Sequence, residues 1–143
     1  VQAIFRELTL TGAFSVTGDD NTVQSPWGSF AGYLSMIDQD FNRANEKALL
    51  VGVAYDFSRL ITPGLSANFN AVWGRDAINP STRLNAPNQS EYDFTADYRF
   101  TKNAPAFLQG VWFRARSAIL DQENAGRLGY QFRLIINWER DLI

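Results

Sequence analysis

The sequence predicts an all-β fold, an antiparallel up-and-down transmembrane β-barrel, and two observations carry this prediction. Apolar and polar residues alternate with a period of two in six segments, each of about 10 residues, which is near the length of a tilted membrane-spanning strand. Short and longer connections also alternate along the chain, as they do in barrels whose two ends face different compartments. Helical periodicity is weak almost everywhere.

The clearest alternation runs over residues 90–100. One face is apolar and mostly aromatic, and it consists of Tyr92, Phe94, Ala96, Tyr98 and Phe100. The opposite face is polar, and it consists of Glu91, Asp93, Thr95, Asp97 and Arg99. Because successive strand residues point to opposite sides of a sheet, this segment predicts a strand with lipid on one side and water on the other.

Five further segments show the same alternation, at residues 8–16, 48–57, 65–74, 111–116 and 130–139. The connections 58–64 and 101–105 are short and contain Pro, which is typical of tight turns. The connections 18–47, 78–89 and 121–127 are read as loops at the opposite end. Aromatic residues collect near strand ends, as they do at the two surfaces of a bilayer. A soluble antiparallel β-domain, with the apolar face as its core, is the alternative.

Composition excludes several functions. The chain has 143 residues with no Cys and no His, which removes thiol catalysis, Cys/His zinc sites and His-based acid–base chemistry. A net charge of −2 argues against a protein held to nucleic acid by bulk positive charge. The longest apolar stretch, residues 48–54, is far below the roughly 20 residues of a spanning helix. Neither a cofactor nor a metal site is predicted.

The polar face carries the candidate site. Four guanidinium groups on three neighbouring strands predict a basic ladder that guides anionic solutes without binding them tightly, formed by Arg99, Arg114, Arg116 and Arg133. Carboxylates expected on the same water-filled side are Glu91, Asp93 and Asp97. Pairing of these charges within the wall is the competing interpretation. Paired carboxylates about 7 Å apart could in principle serve a glycosidase, but the walls of transmembrane barrels offer such pairs routinely, so no enzyme is predicted.

The connection Gly18–Lys47 is acidic and long. We expect a solvated external loop, with inward folding as a constriction the less favoured interpretation. Its carboxylates are also of the type that binds calcium, but the EF-hand spacing that would indicate a calcium site is absent.

Short motifs in the chain are similar to those of a known family. They are the run Ser25–Tyr33, the run Asp40–Ala48, Tyr55-Asp56-Phe57, Ser90–Asp93, Tyr98-Arg99-Phe100, the strand Leu108–Arg116 and Arg133–Trp138. In order and spacing they resemble the C-terminal part of the OprD family of bacterial outer-membrane porins, over about residues 5–139. Residues 1–143 would then form a single C-terminal portion, about a third, of an 18-stranded barrel.

The resemblance implies a passive channel for small, anionic organic solutes such as carboxylates and amino acids. It places the protein in the bacterial outer membrane, in contact with lipid, lipopolysaccharide and the remaining strands of the same barrel, with a homotrimer as a candidate assembly and no nucleic acid partner. The alternative is a small closed eight-stranded barrel with a structural or surface-interaction role.

Overall fold

A computed structural model describes residues 1–23 and 34–139. Residues 24–33, which contain the Ser25–Tyr33 motif, and residues 140–143 lie outside the described part. Within the described part, no helix is long and apolar enough to cross a membrane.

In residues 1–23 and 34–139, one antiparallel sheet contains seven strands in the order of the chain. They are β1 (Gln2–Phe5), β2 (Leu8–Val16), β3 (Lys47–Asp56), β4 (Leu65–Arg75), β5 (Gln89–Arg99), β6 (Val111–Gln122) and β7 (Gly129–Trp138). The predicted all-β antiparallel fold is confirmed, and the six predicted strands correspond to β2–β7. The count of six was wrong, because β1 has only four residues and shows no readable alternation.

The two faces of the sheet are those predicted from the alternation. On the apolar face, Val51, Phe94 and Phe132 are 52%, 47% and 69% exposed. A soluble sandwich would bury these side chains, since apolar burial is what stabilises such a fold. An apolar face that is open in this way is what a strand in contact with lipid presents.

Aromatic rings gather at both ends of this apolar face. Near the short turns, the ring centroids of Tyr98 and Phe100 are 5.1 Å apart, and those of Phe100 and Phe113 are 5.9 Å apart. Near the longer loops, Trp73 contacts Tyr92 edge to face at 6.2 Å. We call the first end the turn end and the second the loop end. Paired aromatic bands are typical of proteins that cross a bilayer.

Two glycines fix the backbone at the turn end. Gly64 and Gly110 have φ of 88° and 82°, a region that side chains disfavour. A Cβ at Gly64 would also overlap the carbonyl oxygen of Arg99, and one at Gly110 would overlap that of Glu139. The amides of Arg99 and Glu139 donate back to these glycines at 2.9 and 2.8 Å. Each turn therefore fixes the end of the strand beside it.

The main hydrophobic cluster lies on the polar face, not between two layers. It joins Leu34 and Phe41 to Ala48, Leu50 and Val72, side chains of β3 and β4. The expectation of a solvated external loop was therefore wrong for residues 34–46, which we call the inner segment. These residues fold back against the sheet because the polar face offers them an apolar patch to cover.

The loops at the loop end hold one another. Arg83 donates to Asp19 at 2.6 Å, and the guanidinium holds the pKa of that carboxyl below its ordinary value. Lys47 pairs with Asp76 at 2.8 Å. The amide of Asn88 donates to Glu123 at 3.2 Å. Contacts of this kind, between residues far apart in sequence, fix the loop end as a unit above the sheet.

Candidate solute path on the polar face

The strand register places the four predicted arginines in consecutive levels of the polar face. Arg99 lies opposite Trp112 at the turn end, and Asp97 lies opposite Arg114 in the next level. One level further toward the loop end, Arg116 lies opposite both Thr95 and Arg133. All four side chains are thus on one side of β5, β6 and β7, as the alternation predicted. Toward the loop end, the next two levels contain Asp93 and Glu91.

Arg114 is neutralised by its neighbour across the strands. Its Nε donates to Asp97 Oδ1 at 2.7 Å and its Nη2 donates to Asp97 Oδ2 at 3.0 Å. This bidentate geometry is the strongest form of a guanidinium–carboxylate pair. Both side chains are partly buried. The competing interpretation, charge pairing within the wall, is therefore correct for this level of the face.

Arg99 and Arg114 both contact Trp112. Their guanidinium carbons are 4.8 and 4.9 Å from the centroid of the indole ring, within the range of a cation–π interaction. Trp112 Nε1 donates to Glu139 Oε1 at 3.2 Å, and Arg99 lies 4.0 Å from the other oxygen of Glu139. The turn end of the path is thus a group of two cations, one ring and one carboxylate, in which Arg99 and Glu139 are exposed and Arg114 is partly buried.

Arg116 and Arg133 face each other across β6 and β7 without a carboxylate between them. Arg133 donates to the carbonyl oxygen of Ile37 at 3.2 Å, and its side chain is exposed. Among the described residues, Arg116 has no hydrogen bond or ion pair, and Asp93 is the acidic group that interacts with it electrostatically. Like charges in facing positions repel, so this level is where an anion gains most by approaching.

Two of the three predicted lumen carboxylates do not face water. Glu91 is completely buried and Asp93 is 4% exposed, because the inner segment covers them. The amides of Asp38 and Gln39 donate to the two oxygens of Glu91, both at 2.8 Å, and the amide of Ile37 donates to Asp93 Oδ2 at 3.0 Å. The prediction of an acidic lumen lining was therefore wrong for Glu91 and Asp93. Asp97 is partly exposed and is paired with Arg114.

Sequence reasoning missed the inner segment and the role of Trp112. A usable signal existed for the first, since Ala48, Leu50 and Val72 are apolar residues at positions of the otherwise polar face. Glu46 is also completely buried, held by Arg43 at 2.6 Å and by Gln89 at 3.3 Å. Nothing in a single sequence identifies Arg43 as its partner, except the short spacing within one loop.

The described residues contain no group of three or more acidic side chains arranged to hold a metal ion. Nor do Glu91, Asp93 and Asp97 form an open carboxylate pair. The first two lie beneath the inner segment and the third is bonded to Arg114.

The structure is similar to solved outer-membrane proteins. OpdK from Pseudomonas aeruginosa has a TM-score of 0.82 and 23% identity, over 96% of this chain and 36% of that protein. OccK9 (OpdG) from the same organism has a TM-score of 0.80 and 24% identity, over 94% and 34%. OccAB4 from Acinetobacter baumannii has a TM-score of 0.78 and 20% identity, over 96% and 34%. The chain thus spans about a third of the length of each, and the likeness shows the fold.

At the level of sequence, the chain matches a family model but no individual curated protein. The model of the family described as "outer membrane porin, OprD family" matches residues 3–142. Because that match takes in nearly every residue, and the sheet has the fold of solved Opd and Occ proteins, the chain belongs to the OprD family of outer membrane porins.

Proposed function

We propose that this chain supplies one wall of a larger closed barrel in the outer membrane, and that the wall guides small organic anions, carboxylates above all, by passive diffusion. One observation carries the proposal. Arg116 and Arg133 face each other on the polar side, and no carboxylate of the described residues pairs with either. They lie between the buried acids of the loop end and the Arg99–Trp112 group of the turn end.

Fixed charge on the water side of a pore raises the local concentration of the oppositely charged solute. Arg133 keeps its full charge, because a hydrogen bond to a carbonyl does not neutralise a guanidinium. Arg114 and Asp97, by contrast, nearly cancel at a distance. The path therefore has its strongest attraction at the level of Arg116 and Arg133, and a weaker one at Arg99.

One neighbour supports the choice of solute class. A solved structure of OpdK, which is 23% identical, is described as containing vanillate, an aromatic carboxylate. Guanidinium groups suit such solutes because their planar donors match a carboxylate. Family members are channels, and we propose that this protein conducts without catalysing a reaction.

The larger barrel accounts for the open edges of the sheet. In the described residues, β1 pairs only with β2 and β7 pairs only with β6, so the seven strands do not close on themselves. No observation favours the alternative of a small closed eight-stranded barrel. Contact with lipopolysaccharide and assembly into a homotrimer stay predictions.

The test is ion selectivity and solute flux of the full-length porin that contains this chain. Replacing both Arg114 and Arg116 by Gln should lower carboxylate flux and move the reversal potential toward cation preference. The matched control combines Arg127→Gln with Lys102→Gln, because it also removes two positive charges but takes them from exposed positions outside the strands. Unchanged flux and an unchanged reversal potential in the double variant would refute the basic ladder.

A further inference from the structure

We propose that Glu91 is a positioning residue: its buried carboxylate holds the inner segment against the wall, and so sets the aperture of the path. The inference deepens the proposed function and rests on it. It replaces the interpretation of Glu91 as an acid that solutes meet.

The geometry of the contact carries this assignment. Both oxygens of Glu91 accept backbone amides, from Asp38 and Gln39 at 2.8 Å each. These amides belong to consecutive residues, so one carboxylate fixes the direction of the chain as well as its position. Glu91 is 0% exposed, which leaves no room for a solute at this carboxylate.

Three further contacts place the segment relative to the arginines. Ile37 is 7% exposed, its amide donates to Asp93, and its carbonyl oxygen accepts from Arg133. The Leu34 and Phe41 side chains pack on the sheet beside this point. Ile37 of the inner segment therefore lies beside the level where Arg133 faces Arg116. A displacement of the segment would change both the width of the path and the partner of Arg133.

Asp93 supplies a matched comparison for Glu91. Only Oδ2 of Asp93 accepts an amide, and Oδ1 has no hydrogen-bond partner in the described part of the chain. An Asn at 93 can keep the bond through its amide oxygen. A Gln at 91 cannot keep both, because one of its two terminal atoms becomes an NH2 group that faces a donor.

The experiment uses the full-length porin with Glu91→Gln or Asp93→Asn, each combined with Ile37→Cys. The described chain contains no other Cys. A small charged thiol reagent reports exposure of position 37, and graded neutral polymers report the aperture in planar bilayers. We expect at least a tenfold faster labelling and a larger polymer cut-off with Glu91→Gln, and parental behaviour with Asp93→Asn. Asp38→Cys, at an exposed position, is the labelling control.

Two outcomes would overturn the proposal. Protection of position 37 in Glu91→Gln would show that the carboxylate does not hold the segment. Equal effects of Glu91→Gln and Asp93→Asn would show that only the lost charge matters.

If Glu91→Gln does not assemble, Gln39→Pro removes one donor from the other side of the contact, and labelling of position 37 is again expected. Labelling does not depend on solute selectivity, so a porin without anion preference would refute the proposed function alone.

Discussion

Asp97 controls how much of the arginine charge on the polar face is available to a solute. Its carboxylate binds Arg114 at 2.7 and 3.0 Å, and the pair is partly buried between β5 and β6. Two neighbouring arginines differ sharply in this respect, because Arg116 has no such partner in the described residues. The number of arginines on the face therefore overstates its effective positive charge.

Asp97→Asn should raise anion preference by more than the loss of one carboxylate elsewhere on the same face. The substitution removes a negative charge and also releases the guanidinium of Arg114 toward the water. Asp56→Asn is the control, since Asp56 lies on the polar side at the end of β3 and accepts from the Ser58 amide, not from an arginine of the ladder. The reversal potential under a salt gradient, measured on the full-length porin, compares the two variants.

Equal shifts for Asp97→Asn and Asp56→Asn would contradict this prediction, because they would mean that Arg114 already acts at full charge. The comparison needs moderate ionic strength. At about 1 M salt the screening length falls to about 3 Å, and both shifts should shrink.

At the scale of elements, the alternation predicts the strands directly, whereas the inner segment leaves only an indirect signal in the sequence. The faces of β5 follow from its own sequence, since Phe94 and Glu91 alternate within one strand. The fold of residues 34–46 instead depends on an apolar patch that β3 and β4 form only after pairing, through Leu50 opposite Val72. Such a patch forms only when the strands pair. A prediction from alternation with a period of two treats its apolar residues as exceptions to the pattern.

Gly74→Ala should displace the inner segment and destabilise the folded barrel. A Cβ at this position would overlap Glu46 Oε1 and lie 2.8 Å from Phe41. Overpacking of this kind costs about 1–3 kcal/mol, and here it also strains the buried carboxylate that Arg43 holds. The free energy of unfolding of the full-length porin, measured in urea, should fall by an amount in that range.

The control for this prediction is Gly12→Ala in β2. No atom lies within 4 Å of a Cβ built at Gly12, so the same added methyl group meets open space on the apolar face. We expect a change within about 0.5 kcal/mol for this variant. A Gly74→Ala porin as stable as the Gly12→Ala porin would show that the segment adapts without cost.

At the scale of the whole molecule, the buried acids and the arginines of the path occupy different levels of the polar face. Buried acids, Glu46, Glu91 and Asp93, hold the inner segment near the loop end, and the available guanidinium groups lie below them toward the turn end. Short turns of outer-membrane barrels lie on the periplasmic side. In the channel that we propose, a solute from outside would pass the inner segment first and reach the cations afterwards. A net charge of −2 hides this order, because it averages over both ends.

The isolated 143-residue chain should not form a discrete pore. The seven strands of the described residues are too few, since even an eight-stranded barrel has an interior that side chains fill. Closure also requires β1 to pair with β7, but β1 has four residues and β7 has ten. Most of the free edge of β7 would stay unpaired, and each unpaired backbone group in hydrocarbon costs several kcal/mol.

Planar bilayers containing the purified chain should therefore show no uniform current step. The full-length porin, prepared in the same detergent, is the control for the reconstitution. A sharp conductance step of constant size from the 143-residue chain alone would contradict the prediction. It would mean that several copies supply strands to one barrel, since a single copy has too little wall to enclose water.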